Sequence, residues 1–296
     1  MIKHLIFIVN PFSGTSSKNG IETIIANEMD RTKYSFDIFF TEYPSHASEI
    51  VRDHKSSDNV YGFVAVGGDG TVNEVASEII GTDKVLGVIP QGSGNGFGCA
   101  IGMSRDLVKS IRILNQSTVQ SIDTGLCNDN NFVNICGIGI DGQIVYKTKS
   151  DPSRGFFKYL KTTILLSFSY KPVMANIYID SILKYSGKYT AIVVANGTTY
   201  GYDFKIAPLA DYTDGVLDVV LIKDEPIYKY FVHLPKYFTK GVRDLSFVIN
   251  DKAKKIEVEI DSDSYYHLDG EGLKHNGNYH FGIQKSSLKI LIPKKI

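Results

Sequence analysis

A carboxylate enclosed by glycines follows an apolar run early in the chain. Residues 66–75 read VGGDGTVNEV, so Gly67, Gly68 and Gly70 surround Asp69 between a strand-like run and a helix-like run. A helix N-terminus exposes unpaired N–H groups and a partial positive charge, which favour an anion. Glycines let the main chain approach that anion without a Cβ collision. The segment therefore predicts a phosphate-binding loop.

The same residues admit a purely structural interpretation. Thr71 and Glu74 have the spacing of a capping box, in which both side chains would only cap a helix that starts near Thr71. The glycines would then only make a tight turn, and Asp69 would hydrogen-bond its own main chain. Chemistry alone leaves the two interpretations level.

A second glycine-rich segment follows the next predicted strand. Residues 90–102 read PQGSGNGFGCAIG, with glycine at 92, 94, 96 and 98. The segment lacks the Gly-Lys-Ser/Thr of a Walker A loop, and Phe97 stands where a dinucleotide fingerprint needs its third glycine. Two loops at the ends of neighbouring parallel strands face one crevice, where open parallel sheets bind their ligands.

Apolar periodicity predicts an α/β domain over residues 1–122. Strand-like runs at 4–10, 35–41, 60–66 and 85–90 alternate with helical patterns at 19–29, 46–54, 71–80 and 106–114. Such alternation is typical of a parallel sheet flanked by helices on both faces.

From residue 123 to 296 the pattern predicts a mainly β, sandwich-like domain. Predicted strands lie at 131–140, 173–180, 189–197, 216–222, 255–260, 277–283 and 287–293, with helical segments near 154–169 and 226–239. The last strand is free to return to the first domain.

Composition narrows the class of protein. Lysine plus arginine and aspartate plus glutamate number 32 each, so no overall field favours nucleic acid as a partner. Three cysteines without CxxC spacing are typical of a reducing compartment. No apolar run reaches the roughly 18 residues of a membrane span. We expect a cytoplasmic protein, with peripheral binding at the inner membrane face left open.

Several motifs, in register over most of the chain, resemble the diacylglycerol kinase catalytic domain family, in its bacterial lipid-kinase branch. They are NPFSG (10–14), FTEYPSHA (40–47), GGDGTVNEV (67–75), PQGSGNGFG (90–98), the stretch 195–222 and LDGE (268–271). Ser93 stands where this family commonly has Thr, which keeps the hydroxyl. Gly96 stands where Asp is common, which removes a carboxylate. The family is related to sphingosine kinases and NAD kinases.

The resemblance implies an ATP- and Mg²⁺-dependent lipid kinase. Its nucleotide-binding residues map to Asn10, Pro11, Ser13, Gly14, Thr41, Gly67, Gly68, Asp69, Gly70, Thr71, Asn73, Glu74, Ser93, Gly94 and Asn95. Asp69 would hold the catalytic Mg²⁺, which prefers oxygen ligands. Glu271 matches the family's proton acceptor, although spacing alone favours an ordinary glutamate at an Asp-Gly turn.

A structural Mg²⁺ site is also implied by the resemblance. Its ligands map to Asp211, Asp214 and the main-chain carbonyl of Val216, within the segment DYTDGVLD. The alternative is a solvated hairpin turn at Asp214-Gly215. The histidines show no zinc-binding spacing, and His46 is expected to play a structural role near a helix start.

One basic, amphipathic segment raises the question of membrane contact. Residues 146–171 hold six Lys or Arg and one acid, and a helical face there would carry Phe157, Leu160, Ile164 and Phe168. Such a segment can lie on an anionic bilayer. The alternative is a helix packed on its own domain with solvated lysines.

These observations predict transfer of the γ-phosphate of ATP to a lipid alcohol, with diacylglycerol converted to phosphatidic acid as the leading case. Alternatives are a sphingoid-base or other lipid-alcohol kinase, an NAD kinase-like enzyme, and a nucleotide or lipid sensor without catalysis. The Thr-Pro-Thr-Gly-Ser-type segment of NAD kinases is not found. The expected partners are the lipid and a transient membrane surface, and a homodimer is left open.

Overall fold

The structure is a computed structural model that describes residues 2–14, 20–149 and 156–294. The chain divides into two compact units. The first is Met1–Ile122 with Ser286–Ile296, and the second is Asp123–Lys285.

Strands and helices alternate through the first part of the chain, and the later part consists mainly of strands. The strands are β1 (Lys3–Val9), β2 (Tyr34–Phe40), β3 (Val60–Gly67), β4 (Val85–Pro90), β5 (Thr118–Cys127), β6 (Asn130–Phe132), β7 (Ile135–Gly139), β8 (Val173–Ile179), β9 (Ile182–Ala195), β10 (Leu217–Lys223), β11 (Val248–Ala253), β12 (Lys255–Glu259), β13 (Asp263–Leu268), β14 (Glu271–Asn276) and β15 (Tyr279–Ile292). The helices are α1 (Ile21–Glu28), α2 (His46–His54), α3 (Asp69–Ile79), α4 (Gly96–Ala100), α5 (Leu107–Asn115), α6 (Ile140–Lys149), α7 (Phe156–Ser169), α8 (Ile227–Val232) and α9 (Leu234–Thr239).

The first unit contains a parallel sheet in the order β2-β1-β3-β4, which the end of β15 extends beside β4. Both faces of this sheet are buried, as in parallel sheets generally. On β1, Leu5, Phe7 and Val9 share a core with residues of α1 and α5. Ile6 and Ile8, which point to the opposite face, are buried as well. The apolar run that marks this strand in the sequence is therefore explained.

The second unit is built from antiparallel strands. They run in the order β14-β13-β7-β9-β8-β12, continued by the start of β15. The long strand β9 pairs with β8 through its first half and with β7 and β10 through its second half. One strand thus pairs in two sheet regions, and the described part of the unit includes two apolar cores. The predicted fold class, α/β followed by a mainly β sandwich, is confirmed.

Several predicted boundaries are wrong. The helix predicted from Thr71 begins at Asp69, and the strands predicted at 277–283 and 287–293 are one strand, β15. The strand predicted at 131–140 is two strands, β6 and β7. Its last predicted residue, Ile140, is instead the first residue of α6. The sequence analysis missed β5, β11, β13, β14, α4 and α6. Asn19, Arg154 and Gly155, which fall in predicted helices, lie outside the described residues.

None of the helices within residues 2–14, 20–149 and 156–294 has the length and apolarity that a membrane crossing requires.

Candidate nucleotide site and acidic motifs

The loops of the first unit lie at one edge of its sheet, because the parallel strands all end there. Hydrogen bonds continue the strand ladder just beyond those ends. Asn10 N–H donates to the Val66 carbonyl at 3.0 Å, and Gln91 N–H donates to the Gly67 carbonyl at 2.8 Å. The three segments that follow β1, β3 and β4 are therefore held side by side.

Asp69 joins the two glycine-rich loops. Gly96 N–H and Phe97 N–H each donate to one oxygen of its carboxylate at 3.0 Å. Asp69 thus binds the main chain of the other loop at the start of α4, a contact that neither interpretation of the sequence anticipated. The main chain of Gly96 supplies this hydrogen bond, so the bond does not depend on the side chain at position 96.

Glycines allow the loops to approach one another. A Cβ on Gly92 would lie 2.3 Å from the Cα of Gly68, and a Cβ on Gly14 would lie 2.6 Å from the Gln91 carbonyl oxygen. Gly14 also has φ 67°, a backbone conformation that favours glycine. These three glycines are therefore needed for packing between loops.

Gly70 is different, because a Cβ there would meet nothing within 4 Å. It occupies the first turn of α3, where the N–H groups have no intrahelical partner. The first N–H that bonds back along the helix belongs to Val72, which donates to the Gly68 carbonyl at 3.1 Å. The N-cap residue of this helix, Gly68, has no side chain that could cap it. The N-terminus of α3 therefore has the open main chain and the dipole that an anion requires.

The predicted capping box at Thr71 and Glu74 is wrong. Thr71 Oγ1 accepts a hydrogen bond from Asn10 Nδ2 at 3.1 Å, which ties α3 to the loop after β1. Glu74 instead accepts from the N–H groups of Ser45 and Ala47, both at 3.2 Å. Glu74 therefore caps α2, the neighbouring helix. The local spacing in the sequence could not reveal this long-range partner.

Other predicted nucleotide-binding residues have roles inside the loops. Asn95 is buried at φ 58°, and its side chain bonds both the N–H and the carbonyl of Gly92 at 2.7 Å. Ser13 Oγ donates to the Asn10 carbonyl at 2.9 Å. Asn73 Oδ1 accepts from Ser77 Oγ at 3.4 Å. Asn95 and Ser13 thus shape the loops and Asn73 bonds within α3, whatever else these side chains contact.

The remaining predicted residues lie at the same edge. Thr41 is buried, and its N–H donates to the Val9 carbonyl at 2.9 Å. Pro11 and Gly94 are half-buried, whereas Ser93 is exposed. His46 accepts from Glu42 N–H at 3.0 Å, in agreement with its expected structural role near the start of α2.

In the second unit, Glu271 is the first residue of β14 and is exposed. It follows a tight turn in which Asp269 and Gly270 both have positive φ, at 48° and 88°. The Asp269 carboxylate is buried and accepts from the N–H groups of Val133, Asn134 and Ile135, at 2.7 to 2.9 Å. The Asp-Gly turn is therefore real, and the aspartate within it anchors the turn to the strand next to it.

The acidic segment 211–218 also lies in the second unit. Asp211 Oδ1 accepts from the N–H and the hydroxyl of Thr213, at 2.9 and 2.7 Å. Asp214 Oδ2 lies 2.7 Å from Lys252 Nζ, and Asp218 lies 3.4 Å from the same nitrogen. Within the described residues no group of three or more His, Cys, Asp or Glu side chains could hold a metal ion. A lysine thus supplies positive charge where a metal is implied.

Burial and ion pairing have opposite effects on the pKa of Lys252. Burial tends to lower the pKa of Lys252, but the hydrogen bond with Asp214 and the charge of Asp218 outweigh it and raise that pKa. Burial raises the pKa of Asp218, against the opposing effect of Lys252. Lys252 therefore keeps its charge at neutral pH, and a Mg²⁺ ion at Asp211, Asp214 and the Val216 carbonyl would have to compete with it.

Comparison with known proteins accounts for both units. Residues 4–127 match the model of the diacylglycerol kinase catalytic domain, and residues 134–291 match that of the YegS C-terminal NAD kinase beta sandwich-like domain. The chain belongs to the diacylglycerol kinase catalytic domain family. It is a kinase of the lipid kinase type, which confirms the resemblance carried by the motifs.

Two relatives from Bacillus subtilis share a low sequence identity with this kinase. The Bacillus subtilis protein YtlR, whose name assigns it to the lipid kinases, is 27% identical over 91% of this chain and 94% of its own. A diacylglycerol kinase of Bacillus subtilis is 26% identical over 91% of this chain and 90% of its own.

Solved structures share the fold. A crystal structure of a diacylglycerol kinase from Bacillus anthracis str. Sterne has a TM-score of 0.73 at 19% identity and covers 98% of this chain and 97% of that one. An NAD kinase from Archaeoglobus fulgidus in complex with ATP has a TM-score of 0.54 at 14% identity, over 98% and 94%. At these identities the likeness extends to the fold alone.

The apolar face predicted for the basic segment of this kinase points outward where it is described. Ile164, Leu165 and Phe168 on α7 form a patch, called here the α7 patch, in which Leu165 and Phe168 are 61% and 72% exposed. Leu166 is the buried residue of that turn. Phe168 of the predicted face is therefore exposed to solvent, whereas Ile164, at 37% exposure, is largely covered. The side chains of Phe157 and Leu160 lie outside the described residues.

Substitution of Lys252 tests whether its ammonium group takes the position of the implied Mg²⁺ ion. We expect the Lys252→Met variant to be less stable by about 0.2–1 kcal/mol, since Asp214 and Asp218 lose a partly exposed cation. Added Mg²⁺ should raise its melting temperature more than that of the wild type, because a bound ion stabilises by mass action. Differential scanning calorimetry with and without Mg²⁺ measures both effects. Lys254→Met, at an exposed position, is the control, and an equal response to Mg²⁺ in all three proteins would contradict the prediction.

Proposed function

We propose that this kinase transfers the γ-phosphate of ATP to the hydroxyl of diacylglycerol, giving phosphatidic acid and ADP. The observation that carries the proposal is the joining of three loops around the uncapped N-terminus of α3. The name of the Bacillus subtilis relative supports diacylglycerol as the acceptor. The ATP bound by the fold neighbour from Archaeoglobus fulgidus supports ATP as the donor.

The main chain at Gly70 is the proposed contact for the phosphates. Its N–H belongs to the first turn of α3, and, apart from its chain neighbours and its own helix, no atom of the described residues lies within 4 Å of where its Cβ would be. Phosphate oxygens are good acceptors for such N–H groups and gain from the helix dipole. Gly68 and Gly92, which pack against each other, would then fix the position of this turn without touching the ligand.

Asp69 is the proposed holder of the Mg²⁺ that accompanies the triphosphate. Each of its oxygens already accepts one N–H, and an ionised carboxylate has about four acceptor sites in all. A carboxylate suits Mg²⁺, which is bound through one or two carboxylates and keeps several waters. When bound, the ion neutralises the charge of the phosphates.

Glu271 is the proposed proton acceptor. As the lipid oxygen forms its bond to the γ-phosphorus, the bond between that phosphorus and the bridging oxygen breaks, and ADP leaves. The hydroxyl proton passes to the Glu271 carboxylate, because an alcohol is a poor nucleophile until a base removes its proton. Glu271 suits this role because it is exposed at the first position of a strand whose preceding turn is anchored by Asp269.

The α7 patch is the proposed contact with an anionic bilayer. Exposed lysines at 147, 161 and 171 lie on or beside α7, and each lysine near an anionic surface contributes about 1 kcal/mol. A cavity of about 310 Å³, lined by residues that include Leu166, Tyr170, Lys171 and Val173, lies at the end of the same helix. Apolar and cationic groups together suit a surface that receives a lipid from a membrane.

The proposed activity is tested by transfer of labelled phosphate from ATP to lipid alcohols in mixed micelles. We expect labelled phosphatidic acid from the wild type and a kcat about 10²- to 10⁴-fold lower in Glu271→Gln, since the general base is lost while the side-chain shape is kept. Glu257→Gln, at a half-exposed position of β12, is the control and should retain wild-type turnover.

The other possible results of this assay distinguish the alternative functions. Label in sphingosine or in NAD, with none in diacylglycerol, would assign the kinase to that substrate instead. Binding of ATP without transfer to any acceptor would make the protein a sensor. Wild-type turnover in Glu271→Gln would remove this residue from the chemistry.

A pair of glycine variants separates ligand contact from packing. Gly70→Val should leave the melting temperature close to that of the wild type and raise the KM for ATP at least tenfold, because the new side chain points into the space proposed for phosphate. Gly92→Ala should instead lower the stability by about 1–3 kcal/mol through overpacking against Gly68. Thermal unfolding and steady-state kinetics measure the two effects. An unchanged KM in a folded Gly70→Val variant would place the phosphates elsewhere.

Vesicle binding tests the α7 patch. We expect the double variant Leu165→Gln/Phe168→Gln to bind phosphatidylcholine–phosphatidylglycerol vesicles at least about tenfold more weakly, since each buried apolar side chain is worth about 1.5–3 kcal/mol. Co-sedimentation measures this binding. The control is Ile182→Gln/Leu183→Gln, an exposed apolar pair at the start of β9. An equal loss in both double variants, or none in the first, would contradict the role of α7.

A further inference from the structure

A cluster of two buried polar side chains and one half-buried tyrosine lies beside the turn that precedes Glu271. Asp141 and His267 are only 8% and 3% exposed. The Tyr200 hydroxyl donates to Asp141 Oδ2 at 2.6 Å, and His267 Nε2 lies 3.5 Å from the same oxygen. The Tyr200 ring also packs on the His267 ring, with centroids 5.6 Å apart. Buried polar groups of this kind are costly unless they are paired, so the cluster needs an explanation.

Gly137 makes room for this cluster. It lies opposite His267 in the pairing of β7 with β13. A Cβ at this position would lie 1.9 Å from Asp141 Oδ2 and 2.8 Å from His267 Nε2. Any side chain on Gly137 would therefore separate the histidine from the carboxylate, and the strand is shaped around their contact.

The hydrogen bonds define where the imidazole carries its proton. Gly270 N–H donates to His267 Nδ1 at 3.4 Å, so Nδ1 acts as an acceptor. A neutral imidazole has one donor and one acceptor nitrogen, so the proton then lies on Nε2. Nε2 faces Asp141, whose other oxygen accepts from Gly142 N–H at 2.8 Å. His267 thus connects the main chain of Gly270 to a carboxylate fixed at the start of α6.

We propose that His267 is a positioning residue for Glu271, with Asp141 as its anchor. Gly270 directly precedes Glu271, so a bond that restrains the Gly270 main chain also restrains where the glutamate begins. Asp269 holds the other side of the turn through three N–H groups. The turn is thus fixed from both sides, and His267 acts on the reaction only through Glu271. This inference rests on the proposed role of Glu271 as the proton acceptor.

Three substitutions separate the two contacts of His267. His267→Gln retains a side-chain N–H that can reach Asp141 but lacks the acceptor for Gly270. His267→Asn retains an acceptor near the position of Nδ1 but lacks the donor to Asp141. His267→Leu lacks both. His275→Gln, a histidine on the neighbouring strand β14, is the matched control.

We expect kcat for the lipid substrate to fall about tenfold in His267→Gln and His267→Asn and about a hundredfold in His267→Leu, with KM for ATP unchanged. The proposed phosphate-binding residues lie in the first unit, so a loss confined to kcat distinguishes positioning from a general loss of structure. Thermal unfolding of each variant verifies that it folds. Wild-type kcat in a folded His267→Leu, or an equal loss in His275→Gln, would overturn the inference.

A measurement without activity keeps this inference separate from the proposed function. Nitrogen-15 NMR of the imidazole in the wild-type protein should show a proton on Nε2 and none on Nδ1, because Nδ1 accepts from Gly270 N–H. A proton on Nδ1 would overturn the link to Gly270, even if the kinase is active. Absence of lipid phosphorylation in the wild type would instead remove the proposed function while the ring state still decides the contact.

Discussion

The carboxylate of Asp69 is the contact on which the candidate site depends. It accepts one N–H from Gly96 and one from Phe97 and so holds the loop after β4 against the loop after β3. Hydrogen bonds between an ion and the main chain are shorter and about twice as strong as neutral ones. The close approach of Gly68 and Gly92 is possible only because neither has a side chain. One charged contact and two missing side chains therefore fix the N-terminus of α3, where the open main chain lies.

The second unit uses carboxylates in the same manner. Asp269 accepts three N–H groups of the segment before β7, and Asp123 accepts the N–H of Gly215 at 2.8 Å. Asp141 accepts the N–H of Gly142 and the hydroxyl of Tyr200. A carboxylate that takes several N–H groups satisfies main-chain donors that would otherwise be buried without partners. These carboxylates thus hold the shape of the chain, and two of them, Asp123 and Asp141, accept from the N–H of a glycine.

The sequence predicts the first unit better than the second for a physical reason. Parallel strands buried on both faces appear as continuous apolar runs, and four of them were found close to their true limits. Strands such as β13 and β14 carry Asp, His and Lys, so their apolar alternation is weak, and their pairing is set by the turn at Asp269 and Gly270. The assignment of Glu74 failed because its partners, Ser45 and Ala47, lie 29 and 27 residues earlier in the chain. Sequence spacing reveals hydrogen-bond partners that are near in the chain, but it does not reveal partners that are distant in the chain.

The same reasoning separates the acids that shape the chain from the proposed proton acceptor. A proton acceptor needs a carboxylate within reach of substrate, and burial in a main-chain cage prevents this for Asp269, which is 4% exposed. Glu271 is two residues further on, at the first position of β14, and its side chain is exposed. Its longer side chain would lose more rotamer freedom on reaching a fixed position than an aspartate would. A turn that is held from both sides lowers that cost, because it fixes the main chain from which the glutamate starts.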